Sequence, residues 1–279
     1  MPRTEANGIE INYDETGDGE TVVLVHGGWS DRNNWFPVVP VLAESFRVVA
    51  YDRRGHGLSR RDTPGTRRDQ EDDLAGLVES LGGRAHVVGT SFGGSIAIGL
   101  ASRRPDLVSS VVIHEPPLVS VAAGDPDAQL QLAAVDATIH EVTSLVGRGD
   151  TEDAARLFVE EVALGPGAWD MLPPPMREVM IDGAAAFVAE QLDPDWASID
   201  LGELASIASP ALITDGDSSP PWFRPITRKL AEALPGAETH TYEGAGHAPH
   251  LTHPQDYLAV VGEFLSRISM REATPIAVS

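Results

Sequence analysis

Residues Ala85 to Leu100 read AHVVGTSFGGSIAIGL. The apolar pair Val87 and Val88 runs into Gly89-Thr90-Ser91-Phe92-Gly93, and a small-residue, apolar stretch with helical spacing (Ile96, Ala97, Ile98, Leu100) follows. This is a G-x-S-x-G pattern with a strand before it and a helix after it, the context that gives the pattern meaning. The turn between the two elements leaves no room for large side chains. Gly89 and Gly93 carry no Cβ, so backbone can approach closely and Ser91 can sit in a strained conformation. The serine hydroxyl is then presented at a helix N-terminus, where unpaired N–H groups and the helix dipole favour negative charge.

The flanking sequence alternates strands and helices. Gly8 to Thr16 (GIEINYDET) suits a half-buried strand, and Gly17-Asp18-Gly19 is a turn signal. Thr21 to Val25 (TVVLV) and Phe46 to Tyr51 (FRVVAY) are continuous runs of the kind covered on both faces of a sheet. They end in His26-Gly27-Gly28-Trp29 and in Asp52-Arg53-Arg54-Gly55-His56-Gly57. Between them, residues 34–44 have helical spacing interrupted by Pro37 and Pro40, which predicts a short, broken helix. A charged loop over 63–73 leads into a helix over about 69–81, with Leu74, Leu77, Val78 and Leu81 on its buried face. Leu107 to Ile113 (LVSSVVI) predicts another buried strand, ending in His114-Glu115-Pro116-Pro117.

After Pro117 the alternation stops. Only helical patterns follow, over 129–146, 151–164 and 176–192, with Pro173-Pro174-Pro175 before the last. Strands return at 210–214 (PALIT) and 238–242, with helices at 226–234 and 254–268. The fold class is therefore α/β, a mostly parallel, doubly wound sheet. Its core is expected from 1–117 and 209–270, with a helical lid inserted over 118–208 and a frayed tail over 271–279. Sites in such sheets form beyond the carboxyl ends of strands. His26, Asp52, Ser91, Glu115, Asp217 and His247 all fall there.

The 279 residues are 42% hydrophobic, enough for one α/β domain with an inserted subdomain or for two small domains. Cysteine is absent, which excludes disulfides, a thiolate metal site and a cysteine nucleophile. A formal net charge of −22 argues against nucleic acid or an anionic membrane surface as a partner. The N-terminus (MPRTEANGIE) has no apolar signal-peptide region, and no run approaches the roughly 18 apolar residues of a spanning helix. The expectation is a soluble, cytoplasmic protein without metal or other cofactor, as a monomer or homodimer. Asp72-Asp73 reads as a solvated helix face.

The chain resembles the α/β-hydrolase fold superfamily at His26-Gly27-Gly28, at Asp52 to Gly57, at Gly89 to Gly94 and at Gly244-Ala245-Gly246-His247. The matches span nearly the whole chain outside the helical insert. The resemblance implies nucleophilic acyl transfer, with Ser91 attacking a carbonyl carbon and His247 taking its proton. The acid is open between two residues. In the usual pattern after the seventh core strand, a Gly is followed three positions later by Asp, but Gly216 is followed there by Ser219, and Asp215 and Asp217 are out of register. Glu115 ends the preceding core strand, where some members, including lactone hydrolases of the zearalenone-degrading type, carry a Glu. Glu115 is therefore favoured and Asp217 is the alternative. The oxyanion donors implied are the N–H of Phe92 and that of Gly28, with Trp29 as second choice. His26 and Asp52 read as loop braces.

A substrate pocket between the sheet edge and the insert would draw on Trp29, Leu118, Phe158, Trp169, Met171, Phe187, Trp222, Phe223 and His250. The implied function is hydrolysis of a carboxylic ester or lactone of a hydrophobic small molecule through an acyl-enzyme. Alternatives are amide or C–C bond hydrolysis or perhydrolysis by the same residues, or a non-catalytic binding module on this fold. A serine at the nucleophile position separates the chain from haloalkane dehalogenases and epoxide hydrolases, which carry Asp there.

Overall fold

Thr21–Val25 is β-branched at four of its five positions and forms a fully buried strand, β3, at the centre of the molecule. The computed structural model describes residues 2–59 and 65–273. Around β3 lie β1 (Arg3–Ala6), β2 (Ile9–Thr16), β4 (Arg47–Tyr51), β5 (Ala85–Thr90), β6 (Val108–His114), β7 (Ala211–Gly216) and β8 (Glu238–Tyr242). They make one sheet in the order β1-β2-β4-β3-β5-β6-β7-β8. β1 and β2 are antiparallel to their neighbours, and every pairing from β4 to β8 is parallel. Parallel strands bring all their carboxyl ends to one edge, so residues distant in sequence meet there.

Helices cover both faces. Alternate residues of each strand point to opposite sides. Val23, Val25, Val49, Val87 and Ile113 face a core completed by α2 (Arg67–Ser80), α3 (Phe92–Arg103) and α9 (Phe223–Ala233). Val22, Leu24, Val48, Val88 and Val112 face the core completed by α1 (Val39–Leu42) and α11 (Pro254–Ala273). From α11, Val261, Phe264, Leu265 and Ile268 are buried, each contributing about 1.5–3 kcal/mol. The start of α2 is set by a capping box: Asp69 N–H donates to Thr66 Oγ1 at 3.1 Å, and Thr66 N–H donates to the Asp69 carboxylate at 2.8 Å.

Between β6 and β7 stand α4 (Pro126–Arg148), α5 (Thr151–Phe158), α6 (Ala168–Met171), α7 (Pro174–Gln191) and α8 (Leu201–Leu204). They carry an apolar cluster of their own, in which Val142, Ala154, Ala155, Val159, Ala184 and Phe187 pack with Trp29 from the loop after β3. A short α10 (Pro249–Thr252) precedes α11.

Four expectations need correction. Of the pair expected on a solvated helix face, Asp72 is partly exposed, but Asp73 is 1% exposed and accepts from Arg54 Nε at 2.7 Å, a buried ion pair that the charge run did not reveal. The 151–164 helix changes after Phe158 into a π-helical turn over Val159–Ala163. A strand at Arg3–Ala6, whose RTEA sequence has no strand pattern, adds an edge to the sheet. The last helix continues to Ala273, beyond the expected end at 268. Of the expected tail, 274–279 lies outside the described residues, as do 60–64 of the charged stretch before α2. No helix among the described residues is long and apolar enough to cross a membrane.

The turn at Ser91 depends on close backbone approach. A Cβ on Gly89 would run into the carbonyl of Gly93, and a Cβ on Gly93 would run into the carbonyls of Val25 and His26. Gly93→Ala is expected to cost at least about 1–3 kcal/mol through overpacking. That should lower the melting temperature by roughly 2–10 °C, measured by circular dichroism. An unchanged melting temperature would mean that the turn can open at little cost.

Candidate active site

Ser91 follows β5 and caps α3 with φ 52° and ψ −128°. A non-glycine residue in this region stores about 1–3 kcal/mol of strain and persists only where its surroundings fix it. The fixing contacts are backbone bonds: Ser91 N–H donates to His114 O at 2.8 Å, and Gly94 N–H donates to Ser91 O at 2.8 Å. The loop after β3 lies against the serine, since a Cβ on Gly27 would stand 3.6 Å from Ser91 Oγ.

Glu115, just after β6, is likewise held at positive φ, 42°, as is Trp29 after β3 at 56°. The Glu115 side chain is fully buried. Oε2 lies 2.7 Å from His247 Nδ1, and Oε1 accepts the N–H of Gly216 at 2.8 Å. Burial by itself would raise the Glu115 pKa. The His114 imidazole, the His247 hydrogen bond and the Gly216 N–H outweigh it and bring the group down to about 2. The Phe223 ring stacks on His247 at 4.3 Å and 14°. Asp217 is exposed, and its carboxylate is taken up by Gly244 N–H at 2.8 Å and Ser218 Oγ at 3.0 Å.

His114, Glu115 and His247 place three possible metal-ligand atoms within 4.8 Å of one another, a grouping that sequence spacing did not reveal. The 2.7 Å between His247 Nδ1 and Glu115 Oε2 is a hydrogen-bond distance. His114 Nδ1 pairs with Thr214 Oγ1 at 2.9 Å, while burial pushes the ring down to about 4, so it is neutral at pH 7.

Two cavities meet at this point. The wider, of about 340 Å³, is lined by Gly28, Trp29, Ser91, Phe158, His247 and His250, and by Leu172, Met176 and Met180 of the insert. It reaches the surface at Phe36 and Leu164, both exposed. The narrower, of about 40 Å³, is lined by Gly28, Ser91, Phe92, Phe158, Phe187, Trp222, Phe223 and His247, together with Glu190 and Gln191. Ser91, His247 and Gly28 belong to both. Three of the expected lining residues lie outside both cavities. Leu118 is in the sheet core, Trp169 is in the core of the insert, and Met171 is 85% exposed. Helical spacing gives the side on which a residue lies but not what packs there.

The loops beyond β3 and β4 are braced as a unit. His26 Nε2 accepts the N–H of Arg53 at 3.1 Å, and its Nδ1 stands 2.8 Å from Gly27 O. Asp52 accepts the N–H groups of Arg32 and Leu58 at 2.9 and 2.8 Å. Arg53, fully buried, donates to Gly27 O at 2.9 Å and to Glu190 Oε1 at 2.6 Å, with Gln70 Oε1 also in contact. Sequence reasoning missed Glu190, the residue by which α7 reaches the sheet. Burial raises its pKa, but the Arg53 charge and the His56 hydrogen bond bring it down to about 2.

A carboxyl held at about 2 in the fold against 4.5 unfolded adds stability that is whole above 4.5 and disappears as the pH falls through 2. Glu190→Gln also strands Arg53, so it should cost about 3–5 kcal/mol at neutral pH. The urea midpoint should then fall less between pH 4.5 and 2 in Glu190→Gln than in the unaltered protein. Equal falls would mean that Glu190 titrates as an ordinary carboxyl.

The model of the Alpha/beta hydrolase family matches residues 22–260. A protein provisionally named carbamate hydrolase RutD, from Caulobacter sp. (strain K31), is 30% identical over 267 residues, covering 92% of this chain and 94% of its own. The 2-hydroxymuconate semialdehyde hydrolase of Pseudomonas sp. (strain CF600) is 28% identical, covering 94% of this chain and 92% of its own. The crystal structure of an alpha/beta hydrolase from Sphaerobacter thermophilus superposes with a TM-score of 0.70 at 30% identity, over 86% of this chain and 91% of that one. The sheet order, the strained serine between β5 and α3 and a family match across more than four-fifths of the chain agree, and this protein belongs to the alpha/beta hydrolase family.

Proposed function

We propose that the protein is a serine hydrolase that cleaves carboxylic esters or lactones of uncharged, hydrophobic small molecules. Ser91 is the nucleophile, His247 the general base and Glu115 the acid that orients it. The observation that carries this reading is the Glu115–His247 pair at 2.7 Å, with His247 lining the same two cavities as the strained Ser91. Ser91 Oγ would form a bond to the acyl carbon as His247 Nε2 takes the hydroxyl proton. The same proton would pass to the departing alkoxide as the C–O bond breaks. Water, deprotonated by His247, would then release the acid from the acyl-enzyme. The backbone N–H of Phe92, at the start of α3, and that of Gly28 would hold the oxyanion. Gly27 O is tied to Arg53 Nη2 and His26 Nδ1, which supports the trans-disposed Gly28 N–H of the same peptide as the second donor.

The apolar wall of the wider cavity supports a hydrophobic, uncharged substrate. The insert supplies Leu172, Met176 and Met180 to that wall, which supports its reading as a lid. A panel of aryl and alkyl esters, lactones, anilides and a vinylogous 1,5-diketone tests the reaction class. Esters or lactones should give the highest kcat/KM. Preference for the diketone would favour C–C cleavage, a reading that the 28% identical semialdehyde hydrolase supports, and preference for anilides would favour amide hydrolysis.

A further inference from the structure

Glu190 presents an unused acceptor to the reacting centre. Arg53 Nη1 at 2.6 Å and His56 Nε2 and Gln70 Nε2 at 3.2 Å all converge on its Oε1. The hydrogen bonds from described residues all go to Oε1, which leaves Oε2 to what enters the cavity, and the residue is 3% exposed. That oxygen faces the narrow cavity, 3.8 Å from where a Cβ on Gly28 would stand. By backbone geometry it is within about 6 Å of the Gly28 N–H. The next residue, Gln191, lines the same cavity, and its Oε1 is buried without a partner. A buried acceptor without a donor costs about 1–3 kcal/mol. Gln191 Oε1 bears that cost, and Glu190 Oε2 offers a second acceptor in the same cavity beside the nucleophile.

The two cavities differ in which half of a substrate they can take. The leaving group must depart while the acyl group is still bonded to Ser91, so it needs the cavity that reaches the surface. The acyl half then occupies the narrow one, which Phe92 and Gly28 also line. A volume of about 40 Å³ holds about three non-hydrogen atoms beyond the carbonyl. Charge narrows the choice of donor. Arg53 already neutralises Glu190, so an ammonium ion would bring an uncompensated charge into an apolar cavity. A hydroxyl would not.

We propose that the narrow cavity selects a short acyl chain bearing a neutral hydroxyl two or three bonds from the carbonyl carbon, which donates to Glu190 Oε2 with Gln191 Oε1 as second acceptor. The inference rests on the ester-hydrolase reading above and assigns the acyl class of its substrate. Glu190 and Gln191 are then specificity residues of that site.

The test compares phenyl 3-hydroxypropanoate with its isostere phenyl butanoate, each kcat/KM divided by the ester's own rate of hydroxide hydrolysis to remove inductive effects. The hydroxy ester is expected to be favoured by about tenfold or more, since a site built for a hydroxyl rejects the analogue that lacks it. Phenyl 3-aminopropanoate is expected to fall below the hydroxy ester, and phenyl octanoate below phenyl butanoate. Glu190→Gln should reduce the hydroxyl preference to near unity. Should that variant fold poorly, Gln191→Leu, which leaves Arg53 paired, is expected to reduce the preference by about threefold. Ester turnover with no hydroxyl preference in the unaltered protein, or a preference for the amino ester, overturns this inference and leaves the ester-hydrolase reading intact. A preference that both variants retain also overturns it. Absence of Ser91-dependent turnover on any ester defeats the ester reading itself.

Discussion

Ser91→Ala is expected to lower kcat toward an aryl ester by about 10⁶, the loss seen when the nucleophile of such an acyl-transfer unit is removed. Without Oγ no acyl-enzyme forms, and the imidazole of His247 has no hydroxyl to deprotonate. The oxyanion donors would still hold a carbonyl, so a residual rate about 10³–10⁴ above water can persist. Binding should change little, because Ser91 is one small part of a cavity wall made mainly by Trp29, Phe158 and the methionines of the insert. The measurement is steady-state hydrolysis, with mass spectrometry of the rapidly quenched protein to detect the acyl adduct. A variant that retained turnover within tenfold would end the serine mechanism. So would an adduct found on another residue. The structure of the variant should be unaltered, since Ser91 is fixed through its backbone N–H and carbonyl.

The parts of the fold legible in the sequence are those fixed by local sterics and burial. TVVLV and RVVAY have no polar face, so they can only be interior strands, and their order with the intervening helices implies the parallel sheet. Ser91 could be located because the turn around it demands glycine at Gly89 and Gly93, a requirement written in two positions. β1 was hidden because an edge strand with one covered residue, Ala6, has no periodicity to read. The partner of Arg53 was hidden for another reason. A buried arginine needs a carboxylate, but 42 acidic residues are available, and the one used lies 137 positions away on a helix. The lining of the pocket was only partly legible, because it depends on how the insert docks. Phe158, Phe187, Trp222 and Phe223 reach the cavities, whereas Trp169 turns into the packing of the insert and Met171 into solvent.

Glu115→Gln is expected to reduce kcat by about 10⁴ with little change in KM, and Asp217→Asn by less than about threefold. The two residues end neighbouring parallel strands, with His114 of β6 opposite Thr214 of β7. A carboxylate from either strand end could in principle serve the same histidine. The geometry differs between them. Glu115 is fully buried and 2.7 Å from His247 Nδ1, while Asp217 is exposed and braces the loop at Gly244. The strand end that lacks the usual acid still takes part, since Gly216 at the end of β7 gives its N–H to Glu115 Oε1. The amide introduced by Glu115→Gln would keep the shape of the carboxylate and lose its charge. It could then present its NH₂ to Nδ1, favour the wrong tautomer and leave the imidazolium of the transition state without a counter-charge. With Glu115 held at about 2, the carboxylate is ionised at any pH where the unaltered protein is active, so this group should add no acid limb to its pH–rate profile. A large loss in Asp217→Asn together with a small one in Glu115→Gln would move the acid to β7 and leave the buried carboxylate a structural part of the sheet edge.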